Sequence, residues 1–138
     1  IGDGPLRFEL EELTKKLKIS KFVRYVGIRN DVKELLLKSD IFILPSHKEG
    51  MSNALLEAAS SGLYCIVNDT GGNKEIIEES KHGFVMKDNN PDTISEAMQV
   101  SIKGKMYFHS ENGASSIQKT YSTANMISAH ISLYNQLT

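Results

Sequence analysis

Apolar and polar positions in this chain keep two rhythms in alternation, one repeating every three to four residues and one running as short unbroken apolar stretches. Leu6, Leu10, Leu13 and Leu17 recur at helical spacing with charged residues between them, which predicts an amphipathic helix opening at Pro5, a residue suited to a first helical turn. Phe22 to Val26 alternates as a strand does and stops at Gly27. Asp31 to Lys38 carries Val32, Leu35, Leu36 and Leu37 as a short helix, and the apolar run Ile41 to Leu44, closed by Asp40 and Pro45, predicts a strand buried on both faces of a parallel sheet.

The same alternation continues. A helix opening near Ser52 or Asn53 runs to Ser61 and is stopped by Gly62. Tyr64 to Val67 is a second buried strand, Gly71-Gly72 a flexible turn, Lys74 to Glu79 a short helix ending near Lys81-His82-Gly83, and Phe84 to Met86 a last strand. After the loop Asp88 to Pro91, Asp92 or Thr93 caps a helix carrying Ile94, Ala97, Met98 and Ile102. Two more helices fill 110–121 and 123–136, and the Leu, Met and Ile stripes of these later helices are assigned to the core. Strands alternating with helices at this spacing require crossover connections. The fold class is therefore α/β, a Rossmann-like open parallel sheet with helices on both faces.

Composition narrows the function. A chain of 138 residues with 40% hydrophobic and 24% charged residues fits one domain, 1–138, able to bury a core. Lys+Arg 16 against Asp+Glu 17 lacks the basic excess of a nucleic-acid binder. The single cysteine, Cys65, lies in an apolar run, so it is read as an inert buried thiol, and a reducing, cytoplasmic setting is expected. No apolar stretch approaches the ~20 residues of a membrane span. Ile1-Gly2-Asp3-Gly4-Pro5 opens on what reads as the last residue of a strand, so the chain is expected to be part of something longer.

In open parallel sheets, ligands bind outside the carboxyl ends of the strands, and the unusual loops fall at such ends: Gly2-Asp3-Gly4, Gly27 to Asn30, Ser46 to Asn53 and Asn68 to Asn73. Together they predict one long cleft. Gly2, Gly4 and Gly50 permit close backbone approach. The helix after Gly50 opens with unpaired N–H groups and a partial positive charge, suited to a phosphate. Glu49 in the loop and Glu57 in the helix have seven residues between them, and helical side chains lean toward the N-terminus, so Glu57 points back toward the loop. A carboxylate accepts two hydrogen bonds, and a vicinal diol donates two. A sugar nucleotide offers both a diol and a diphosphate. Flanked by Leu55, Leu56, Ala58 and Ala59, Glu57 is expected to be partly buried. The bland alternative makes Glu49 a solvated charge and gives Glu57 a structural partner. His47 and Lys48 are lesser candidates for ligand contact, and Glu75 is expected to brace the double-glycine turn or cap its helix.

In order along the chain, Gly-Asp-Gly-Pro-Leu-Arg at 2–7, the segment Val23 to Asp31, Ser39 to Ser46, Glu49-Gly50, Leu56-Glu57-Ala58, and Thr70-Gly71-Gly72 followed by Glu75 resemble the C-terminal, donor-binding domain of GT-B retaining glycosyltransferases of the large family 4 group, the glycosyl transferases group 1. The likeness covers nearly the whole chain and rests on the ordered series of motifs.

The resemblance implies that Glu57 binds the ribose hydroxyls and that Glu49 lies against the donor sugar near its reacting carbon. It assigns sugar hydroxyls and phosphate to backbone N–H groups of Gly50, Met51, Ser52, Asn53 and Ala54, and the base to Ile28 and Arg29. It implies retaining hexosyl transfer from a UDP- or GDP-sugar to a glycan or lipid-linked acceptor, with the leaving diphosphate helping to remove the acceptor proton. No metal and no other cofactor is expected. A partner N-terminal domain carrying the acceptor is expected in the full-length protein, as are polysaccharide biosynthesis and peripheral placement at the inner membrane face. Family members carry an Arg/Lys pair for the diphosphate on an upstream segment that is absent here, so the isolated chain is expected to bind weakly and catalyse little. The alternative is a non-catalytic nucleotide-binding or interaction domain on the same fold. A dinucleotide-dependent dehydrogenase is disfavoured, because Gly2-Asp3-Gly4 lacks the third glycine and precedes Pro5.

Overall fold

The computed structural model describes residues 1–106 and 108–137. The chain divides into two compact units, Ile1–Leu35 and a second from Leu36 onward.

In the first unit, α1 spans Arg7–Lys16 and a 3₁₀ turn spans Ser20–Phe22. The strand expected over Phe22 to Val26 does not form: Val23 leaves the 3₁₀ turn in extended backbone, no ladder follows, and one isolated antiparallel bridge joins Gly27 to Gly2. A strand needs a neighbour for its N–H and C=O groups, and within this unit that partner extends no further than Gly2. The helix predicted around Leu6 to Leu17 does form. Its leucines, however, stay exposed, and Thr14 is the buried residue of α1, its hydroxyl donating to the Leu10 carbonyl at 2.7 Å. α2 follows at Val32–Leu37.

The second unit holds a parallel sheet of β1 (Ile41–Leu44), β2 (Tyr64–Asn68) and β3 (Gly83–Met86), in that order among the described residues. The intervening helices are α3 (Asn53–Ser60) and α4 (Asn73–Ser80), and α5 (Pro91–Lys103), α6 (Glu111–Thr120) and α7 (Thr123–Leu137) come after β3. Register puts Ile41, Ile43, Tyr64, Ile66, Phe84 and Met86 on one face. There Ile66, Met86 and Ala97 of α5 form a buried cluster flanked by Ile94. Cys65 and Val67 point to the opposite face, where α3 and α4 pack on the sheet and α6 packs on both helices. Their apolar side chains, Leu55, Ala58, Ala59, Ile76, Ile77 and Ile117, are buried.

β1 is half-buried along its length rather than enclosed on both faces, because it is an edge strand of the described sheet. α5 is capped by Asn90, whose side chain accepts from the Thr93 amide at 2.9 Å, not by Asp92 or Thr93. Pro91 then takes the first helical position, where a missing N–H costs nothing. The apolar stripes of the late helices are only partly core: Ala97 and Ile117 are buried, whereas Met98, Val100, Ile102, Met126, Ile127, Ile131 and Leu133 are exposed. α3 stops as expected at Gly62, with Gly62 N–H donating to Ala59 C=O and Leu63 N–H to Ala58 C=O, the pair of bonds that closes a helix through a left-handed residue.

Candidate functional site

Three chain segments leave the carboxyl edge of the sheet side by side. The first, residues 45–52, carries Glu49 and leads into α3. The second, residues 69–72, follows β2, and the third, residues 87–90, follows β3. The first segment is held by the other two through its carbonyls. Pro45 C=O accepts from Asn89 Nδ2 at 3.1 Å, Ser46 C=O from Asn68 Nδ2, His47 C=O from Thr70 Oγ1 at 3.5 Å, and Gly50 C=O from the Gly72 amide at 2.7 Å. Gly71, at φ 53°, sits against this loop so closely that a Cβ would lie 2.2 Å from Gly50 O. Only glycine fits there.

With four of its carbonyls engaged, the loop leaves donors open. The amides of Gly50, Met51, Ser52, Asn53 and Ala54 have no partner among the described residues, whereas Leu55 N–H is taken by the buried Ser52 hydroxyl. Those free amides stand at the positive end of α3. A side chain at Gly50 would meet nothing within 4 Å, so space lies open beside the loop. The Met51 sulfur lies beside Gly72, 3.2 Å from where a Cβ there would stand.

Glu49 is half-buried and Glu57 exposed, and neither carboxylate has a hydrogen bond or ion pair among the described residues. The exposure of Glu57 corrects the expectation of partial burial. Leu55, Ala58 and Ala59 occupy the buried stripe of α3, and Glu57 falls outside it. Two unpartnered carboxylates, on one continuous loop and helix, offer only hydrogen-bond acceptors and so suit a partner rich in hydroxyl donors. His47 and Lys48 are exposed. Glu75 is exposed and does not cap its helix, whose N-cap Gly72 has no side-chain bond. At the third segment, Asp88 is held below the usual carboxylate range by hydrogen bonds from the Thr93 hydroxyl and the Asn90 amide. Among the described residues, no three His, Cys, Asp or Glu side chains gather as a metal cluster.

The remaining candidates belong to the first unit. Gly2 N–H donates to Gly27 C=O at 2.8 Å, with Gly2 at φ 108°. Gly4 N–H caps the Asp3 carboxylate, which this bond, together with Arg7, holds below its ordinary range. Arg29 is closed into a two-point contact with Asp31 at 2.7 and 2.6 Å, and Ile28 is 82% exposed.

A family model described as glycosyl transferases group 1 matches residues 1–115. The chain belongs to this family. The glycosyl transferases group 1 chain described here is 37% identical over 99 residues to an Escherichia coli UDP-Gal:alpha-D-GlcNAc-diphosphoundecaprenol alpha-1,3-galactosyltransferase, a match covering 71% of this chain and 26% of that relative. Among solved structures it is similar to a sucrose-phosphate synthase from Thermosynechococcus elongatus, with a TM-score of 0.80, 19% identity, and coverage of 99% of this chain and 37% of the other. It is also similar to Anabaena HepE in complex with UDP, with a TM-score of 0.78, 19% identity, and coverage of 90% and 35%. The chain thus spans about a quarter to two fifths of the length of these proteins. At such identities the structures establish the fold, an α/β domain of the GT-B type.

Sequence reasoning placed Asn68, Thr70, Asn73 and Asn89 in loops or motifs but gave their side chains no role. The signal for two of them was present: Asn68 ends an otherwise apolar strand, and Asn73 follows a glycine pair into a helix.

Proposed function

We propose that this chain is the donor-binding part of a retaining glycosyltransferase, taking a nucleotide-diphosphate sugar and delivering its hexosyl unit to a glycan or lipid-linked acceptor. The observation that carries the reading is the pairing of two unpartnered carboxylates, Glu49 and Glu57, with the free amides of Gly50 to Ala54 on one loop and helix start. In this reading the amides and the α3 dipole hold the diphosphate, Glu57 accepts from the ribose diol, and Glu49 accepts from the sugar near its reacting carbon. The Escherichia coli relative, a UDP-Gal:alpha-D-GlcNAc-diphosphoundecaprenol alpha-1,3-galactosyltransferase, supports both the donor and the acceptor class.

The chemistry asked of the protein is electrostatic. Negative charge develops on the departing diphosphate, and preorganised N–H dipoles stabilise it more in the transition state than in the ground state. No protein nucleophile is required, because the leaving diphosphate takes the acceptor proton on the face from which it departs. Transfer itself belongs to the protein completed by an acceptor-binding domain.

A thermal-shift panel of UDP, GDP and their sugars tests the reading. A ligand at 100 times its Kd stabilises by about 2.7 kcal/mol, so a bound nucleotide raises Tm, and Glu57→Ala shrinks that rise. Equal rises in both proteins would remove Glu57 from the site.

A further inference from the structure

Resting on the donor-site reading, we propose that Asn68 and Asn73 are positioning residues that set Glu49 against the donor sugar. Both are buried, at 9% and 0% exposure. Asn68 closes β2 and its Nδ2 donates to Ser46 C=O, while Asn73 opens α4 and its Nδ2 donates to Asn68 C=O at 3.3 Å. Both Oδ1 atoms are buried without a partner among the described residues. Stranding two carbonyl acceptors is unfavourable, and an apolar residue of similar size would fill the same space without it. What only a short planar carboxamide supplies here is a donor that reaches a main-chain carbonyl of the neighbouring segment.

The bonds bracket Glu49 without touching it. Asn73 fixes the Asn68 carbonyl, Asn68 fixes Ser46, Thr70 reaches His47, and Gly72 fixes Gly50. The carbonyls gripped by the 68–72 turn lie on both sides of Glu49 in sequence, which fixes the peptide rotation there and so the direction its side chain leaves the backbone. Glu57 is anchored separately, by α3 and its Ser52 cap. The network therefore acts through Glu49 and not through Glu57, and that asymmetry separates positioning from simple support of the fold.

The test is a pair of double-mutant cycles read by calorimetric titration of UDP-galactose into this chain. Asn68→Ala and Glu49→Ala are each expected to weaken binding about tenfold, and the double variant to bind within about twofold of Glu49→Ala alone, because a residue acting through another has nothing left to lose once that other is gone. Combined with Glu57→Ala, the Asn68→Ala loss multiplies. Thr70→Val, a near-isosteric change at a half-buried site that removes only the hydroxyl facing His47, gives a smaller loss with the same pattern and holds even if Asn68→Ala folds poorly. Multiplication of the losses with Glu49→Ala, or full affinity in Asn68→Ala, overturns the positioning role while leaving the donor site standing. Binding of UDP-galactose indifferent to Glu57→Ala overturns the donor-site reading and this inference with it.

Discussion

The Gly72 amide donates to the Gly50 carbonyl at 2.7 Å, a single bond that ties the double-glycine turn after β2 to the loop leading from β1 into α3. Around it the two segments approach backbone to backbone, with no room for a side chain at position 71.

Gly71→Ala is accordingly expected to be costly. The left-handed backbone alone costs a side-chain-bearing residue about 1–2 kcal/mol, and here the new methyl would also lie 2.2 Å from Gly50 O and 2.5 Å from Glu49 O. The loss of stability should exceed the backbone cost. Gly72→Ala meets only the flexible Met51 side chain, at 3.2 Å from its sulfur, and should cost much less. Urea unfolding of the two variants checks the order. Equal, small losses would mean that the two loops are not packed as described.

A second contrast between glycines makes the same point, with Gly62 at the far end of α3. Gly62 lies at φ 80°, and a Cβ there would sit 3.1 Å from the Ser110 backbone, whereas a Cβ at Gly4 meets nothing within 4 Å. Gly62→Ala should destabilise by at least the ~1–2 kcal/mol of a left-handed alanine, and Gly4→Ala should change stability by less than ~0.5 kcal/mol, as surface substitutions do. Thermal melts distinguish the two.

Most elements of the second unit were legible in the sequence, because each carried a local signal that packing did not overrule. Ile41 to Leu44 and Tyr64 to Val67 are unbroken apolar runs with polar ends, and Gly62 is a stop with a stereochemical reason. The misplaced readings depended on partners that a single sequence does not show. Phe22 to Val26 has strand alternation but finds no ladder beyond Gly2–Gly27, and the leucines of α1 have a helical period but no described element covering them. For the candidate site, the acidic residues and the glycines stood out by type and spacing. The asparagine braces did not, since Asn68 and Asn73 matter through bonds to residues 22 and 5 positions away, and nothing in their local sequence specifies those partners.

Cys65 gives the fold a pH dependence that can be isolated. Burial pushes its thiol up to about 12 from an ordinary 9.0. Because the folded form holds the proton more tightly than the unfolded chain, the associated stability is complete below pH 9 and is lost as pH rises from 9 toward 12. The slope from this one group is about 1.4 kcal/mol per pH unit. Cys65→Ser keeps a donor for the Leu63 carbonyl, which the thiol now contacts at 3.3 Å, and removes the titration. Urea unfolding at pH 8, 9 and 10 should show the unmodified chain losing stability more steeply than Cys65→Ser. Parallel curves would place the thiol in contact with water.

The most direct measurement is a cycle between one side chain and one ligand group: calorimetric affinities of UDP and of 2′,3′-dideoxy-UDP for the unmodified chain and for Glu57→Ala. A hydrogen bond to a charged group is worth about 1.5–3 kcal/mol, so the unmodified chain is expected to prefer UDP by roughly 10- to 100-fold, and Glu57→Ala is expected to bind both nucleotides alike. A preference for the ribose diol that survives in Glu57→Ala would contradict the assignment of that carboxylate to the nucleotide.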